Sequence, residues 1–110
     1  MDETGTGIGQ TAVIGERELA IGFRLIGLQD VVEVTPATAS AEFQKLMNRE
    51  DINLVVASEG VRRRLSENQR VHAEGSLQPL VVFVPSPTGE YEVESLAALA
   101  KRVLGISLQV

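Results

Sequence analysis

The chain contains no cysteine. That excludes disulfides, thiolate metal sites and a cysteine nucleophile, and it suits a reducing compartment. It also lacks an excess of basic residues. Ten lysines and arginines stand against 15 aspartates and glutamates, for a formal net charge of -5. Phosphate backbones attract a basic field, so nucleic acid is not expected as a partner. No apolar run approaches the roughly 20 residues of a bilayer span, so no direct membrane insertion is expected. The opening segment MDETGTGIGQ has neither a basic nor an apolar stretch and is expected to be a flexible lead-in rather than a secretion signal. Histidine is nearly absent too. His72 stands alone in a polar stretch near Glu74, with no second ligand at metal spacing, and reads as a surface side chain.

What is present is the composition of one ordinary folded unit. The chain has 110 residues, 44% of them hydrophobic and 23% charged. That is enough for a modest core and leaves much apolar surface uncovered. Residues 1–10 are the lead-in, 11–86 the folded domain, and 87–110 a hinge with a C-terminal helix and tail.

Along the domain, Thr11–Ile14 reads as a short strand and Gly15 as a turn. Residues 16–27 have helical composition, with acids in the first turn where the helix dipole favours them. Asp30–Val34 is a second strand, broken by Thr35-Pro36. Thr38 or Ser40 caps a helix through about Arg49, with Phe43, Leu46 and Met47 on its apolar face. INLVVA (52–57) is expected to be a strand buried on both faces. Ser58 is a natural N-cap for a helix that turns Val61 and Leu65 inward. The polar stretch 66–76 has no clear assignment. PLVVFV (79–84) reads as a second fully buried strand. Pro85 to Gly89 is a hinge, and a final helix runs from Val93 or Ser95 to Leu104, stopped by Gly105. Residues 106–110 alternate apolar and polar. The alternation of strands and helices predicts an α/β fold. It is a small Rossmann-like, receiver-like, four-stranded and mainly parallel sheet flanked by helices, with a C-terminal helix after a proline-rich hinge.

The sequence offers little chemistry. GTGIG (5–9) precedes the first strand, whereas a phosphate loop must follow a strand and open a helix. A receiver needs a phosphoaccepting aspartate at the end of its third strand. Here that strand ends Val56-Ala57-Ser58, and the first ends Gly15-Glu16. The run Arg62-Arg63-Arg64 points in directions about 100° apart on a helix and cannot form one tight patch. It reads as a solvated face or as a salt bridge to a partner. No catalytic, cofactor-binding or metal-binding residues are assigned, and no cofactor is expected.

Surplus apolar surface is the more telling feature. In the run AVIGERELAIGFRLIGL (12–28), Leu19, Phe23 and Ile26 share one helical stripe, while Ile21, Leu25 and Leu28 fall nearly opposite. The second stripe either meets another element of the same chain, such as the C-terminal segment, or docks a partner. Gly22 and Gly27 each cost about 1 kcal/mol in a helix relative to alanine, which is easier to understand where another backbone packs closely. The final helix has its own stripe of Leu96, Leu99, Ala100 and Val103. It either closes onto the domain or reaches outward.

The chain resembles the F subunits of the archaeal A-type and bacterial V-type ATP synthases. The resemblance rests on AVIGERELAIGFRLIGLQDVVEV (12–34), the INLVVAS strand leading into a capped helix, PLVVFVPS (79–86) and ESLAALAKRVLGISL (94–108). The glycine and phenylalanine pattern Gly15, Gly22-Phe23, Leu25 and Gly27 is its most specific part. The resemblance implies a non-catalytic rotor subunit of the central stalk. Such a protein binds the coiled coil of the D subunit, contacts other head and stalk subunits, and couples ATP synthesis or hydrolysis to ion transport. It implies a location on the cytoplasmic side of the cell membrane, peripheral through the complex. The expected partner-binding residues are Ile21, Leu25 and Leu28 with Leu96, Leu99 and Val103. The alternative is a receiver-like signalling or small-ligand module without a phosphoacceptor.

Overall fold

The computed structural model describes residues 10–87 and 93–104. Its elements are β1 (Thr11–Gly15), α1 (Arg17–Leu25), β2 (Val31–Glu33), α2 (Ala39–Met47), β3 (Leu54–Ser58), α3 (Glu59–Arg64), α4 (Glu67–Gly75), β4 (Leu80–Val84) and α5 (Val93–Leu104). The four strands form one sheet in the order β2-β1-β3-β4. Every pairing is parallel, with Val13 opposite both Val31 and Val56, and Val56 opposite Val82.

Alternation along the strands divides the core in two. Ala12, Ile14, Val55 and Ala57 face one side and pack with Phe43, Leu46, Val61, Leu65 and Ala73 from α2, α3 and α4. Val13 and Val56 face the other side and pack with Leu19, Phe23, Val84 and Ala100. The central strands β1 and β3 therefore carry apolar residues at every inner position, as a sheet covered on both faces requires.

PLVVFV departs from the expected full burial. β4 is an edge strand, and Leu80 and Val82 are 48% and 39% exposed. An apolar run marks a strand but does not say how many neighbours the strand has. The polar stretch 66–76 is helix α4. Ser66 Oγ accepts from the Gln69 N–H at 3.1 Å, and Gln69 Oε1 accepts from the Ser66 N–H at 2.9 Å, a reciprocal capping box. The Ser58 cap is present, with its hydroxyl accepting from the Val61 N–H at 3.0 Å. Thr38 is the N-cap residue of α2, but its hydroxyl serves the Thr35 N–H instead of the helix. Ser40 lies inside α2 and donates to Gln69 Oε1 at 2.8 Å, which ties α2 to α4. Gly27 lies beyond the end of α1, at φ 102°, with nothing near its missing side chain. Its role is the left-handed backbone after a helix, not close packing. Gly22 is buried within α1. The first nine residues, most of the hinge (88–92) and the tail (105–110) lie outside the described residues.

Candidate functional site

Helix α1 presses Leu19, Ala20 and Phe23 onto the sheet. Helix α5 lies along α1, and its Ala100 is 1% exposed in the same cluster. The C-terminal helix thus closes back onto the domain. Ile26, Leu28, Val103 and Leu104 are partly buried against this cluster. The expected contact residues therefore divide. Leu28 and Val103 pack against the core, Ile21 is half-buried, and Leu25 is 52% exposed. The side chains of Leu96 and Leu99 lie outside the described ones. Among the described residues, Leu25 is the member of the set that faces solvent most openly.

A second feature lies at the carboxyl ends of β1, β2 and β3. After β1 the chain crosses to β2 on one side, and after β2 it crosses back to β3 on the other. The order reverses between β1 and β3, which is where open α/β sheets leave a crevice. The crevice here has a volume of about 220 Å³. Val34, Pro36, Ala39 and Val61 form its apolar lining, with Glu16, Thr35, Arg63 and Arg64 around them.

Glu16 is engaged inside the fold. Its Oε2 accepts from the Ser86 hydroxyl at 2.9 Å, and Ser86 Oγ accepts from the Gly60 N–H at 2.7 Å. Its Oε1 is buried without a hydrogen-bond partner among the described residues. A side chain at Gly60 would meet the Glu16 carboxylate and displace it from this contact. The serine of the Pro85-Ser86-Pro87 segment is in this way fastened to the starts of α1 and α3.

The three arginines separate. Arg62 Nη2 donates to Glu74 Oε2 at 2.9 Å, and its guanidinium lies 5.6 Å from the centre of the Phe83 ring. That contact with Glu74 raises its affinity for its proton. Arg63 and Arg64 are exposed at the crevice and make no ion pair or hydrogen bond among the described residues. No local sequence pattern marks this crevice, because the strand order creates it. The two arginines, read by spacing alone, look like part of a solvated face.

His72 is exposed on α4, and no group of three or more potential metal-ligating side chains occurs among the described residues. β3 ends on Ser58, whose hydroxyl caps α3, so the receiver position carries no carboxylate. No helix among the described residues is long and apolar enough to cross a membrane.

Comparison with known proteins gives a consistent picture. Residues 11–103 match the family described as the ATP synthase (F/14-kDa) subunit. The A-type ATP synthase F subunit of Thermoplasma acidophilum is 35% identical over 96 residues, covering 87% of this chain and 91% of that one. The corresponding protein of Methanocaldococcus jannaschii is 28% identical over 102 residues, covering 91% of this chain and 99% of that one. The crystal structure of the V-type ATP synthase F subunit from Archaeoglobus fulgidus is similar at a TM-score of 0.64 and 26% identity, covering 69% of this chain and 96% of that one.

Proposed function

The chain belongs to the ATP synthase F-subunit family, whose members are accessory and not catalytic, and from that premise we propose that it is a rotor subunit of the central stalk. In this reading it binds the two-helix coiled coil of the D subunit and helps couple ATP synthesis or hydrolysis to ion transport. It sits on the cytoplasmic side of the membrane, held there by the complex. The observation that carries the reading is the family match over residues 11–103. A docking role for the α1 surface is supported by Leu25, a leucine 52% exposed beside the half-buried Ile21.

Fully burying a leucine contributes roughly 1.5–3 kcal/mol, and Leu25 has about half of that left to gain. Aspartate at this position would also bring a charge into the interface. Leu25→Asp is expected to weaken a 1:1 complex with the coiled-coil subunit by about tenfold or more. Copurification after coexpression, followed by titration calorimetry, measures this. A variant that stays folded and binds as tightly as the wild type would remove Leu25 from the interface. Failure of the wild-type chain to copurify would remove the coiled coil as partner.

A further inference from the structure

We propose that the crevice at the carboxyl ends of β1–β3 is a second docking point, which receives an acidic side chain flanked by apolar residues on the coiled-coil subunit. The proposal rests on the stalk reading above for the identity of the partner. Its physical basis lies in the crevice itself.

Arg63 and Arg64 are adjacent, exposed and without partners among the described residues, in a chain whose net charge is -5. Arg49 is paired with Asp30 and Asp51, Arg62 with Glu59 and Glu74, and Lys45 with Glu42, while Arg63 and Arg64 are the cations that line the crevice. Two unpaired guanidinium groups at one rim create a local positive field that a carboxylate can meet with paired N–H bonds.

The size of the crevice selects the kind of guest. At about 220 Å³ it falls below the roughly 300–1,000 Å³ of small-molecule sites and suits one or two side chains. The Glu16 carboxylate in its wall opposes a multiply charged phosphate more than a single carboxylate. Of the remaining lining, Val34, Pro36, Ala39 and Val61 offer apolar contact, and Thr35 offers one hydroxyl, already shared with Thr38. An acidic side chain with an apolar neighbour satisfies both parts of the site.

The test titrates the purified coiled-coil subunit into the full chain at low and high salt. Arg63→Glu/Arg64→Glu is compared with wild type, and Arg63→Gln/Arg64→Gln serves as a milder pair. Neither arginine makes a bond among the described residues, so both pairs are expected to melt with the wild type. Charge reversal is expected to weaken binding by about tenfold or more and to flatten its salt dependence, with the glutamine pair in between. Wild-type affinity in the charge-reversed chain would overturn the crevice proposal while leaving the stalk reading in place. Absence of binding by the wild-type chain would overturn the stalk reading and, with it, the partner named here. Titration of the free chain with ATP and with inorganic phosphate, read by amide chemical shifts at 34, 35 and 60–64, is expected to be silent. Saturable shifts there would identify a small-anion pocket and overturn docking at this site.

Discussion

Three N–H groups of Arg49 go to two carboxylates that lie apart in sequence. Nη1 donates to Asp30 at 3.0 Å, while Nε and Nη2 donate to Asp51 at 3.0 and 2.6 Å. Asp30 precedes β2 and Asp51 precedes β3, so one side chain gathers the entries to two strands that are not neighbours in the sheet. The paired hydrogen bonds hold the Asp51 carboxyl below the ordinary aspartate range. A depressed carboxyl contributes stability that is present above its unfolded value, about pH 3.9, and is lost as pH falls through its folded value. The cluster is exposed, so the effect is small. Arg49→Met is expected to melt slightly below wild type at neutral pH, and the gap should narrow below about pH 4. Calorimetric scans across that range measure it. A gap that persists unchanged in acid would mean that the arginine acts through packing rather than charge.

At the scale of elements, the caps hold together what the apolar pattern leaves undetermined. Helix α4 buries only Ala73, so burial does little to fix where it begins. The Ser66–Gln69 capping box sets its start, and the same Gln69 meets Ser40 through two hydrogen bonds, at 2.8 and 3.1 Å. Ser66→Ala is expected to cost about 1 kcal/mol. Gln69→Ala should cost more, because it also strands the Ser40 hydroxyl and severs α4 from α2. Denaturant titration compares the two, and equal losses would show that the link to α2 is idle. The S-x-x-Q pattern is present in the sequence, but a stretch with so little apolar periodicity gives no frame in which to read it. The opposite holds for INLVVA and Ser58, where a continuous apolar run and a capping hydroxyl agree on strand and helix. The run PLVVFV marks a strand correctly and its burial wrongly, since edge position depends on sheet order. The crevice is illegible for the same reason: β1 and β3 are neighbours only after the chain has crossed back. The fan of Arg62, Arg63 and Arg64 is legible as a fan. Which members find partners depends on Phe83 and Glu74, which come from β4 and α4.

At the scale of the molecule, the two faces of the sheet are covered by different means. One face is covered by α2, α3 and α4, which come from the middle of the chain. The other is covered by α1 and by α5, which follows the proline-rich segment. A small residue, Ala100, sits at 1% exposure where α5 meets this half of the core, and Gly22 is buried in α1. Small residues let helices approach closely, and a larger polar group there has nowhere to go. Ala100→Asp is expected to lift α5 from α1, whereas Lys101→Asp, on the exposed side of the same helix, leaves the packing intact. Amide exchange reads the difference. Protection should fall along α1 and α5 in Ala100→Asp while β1, β3 and α2 keep theirs, because α2 packs on the other face and β1 and β3 keep their ladder hydrogen bonds and the contacts of Ala12, Ile14, Val55 and Ala57 there. Uniform loss of protection would instead mean that both half-cores unfold as one unit, with α5 integral to it rather than a separable cover. Unchanged protection in α1 would mean that α5 contributes little to that face. The first outcome also bears on the stalk reading, since release of α5 uncovers Leu28 and Val103, the two expected contact residues now packed against the core.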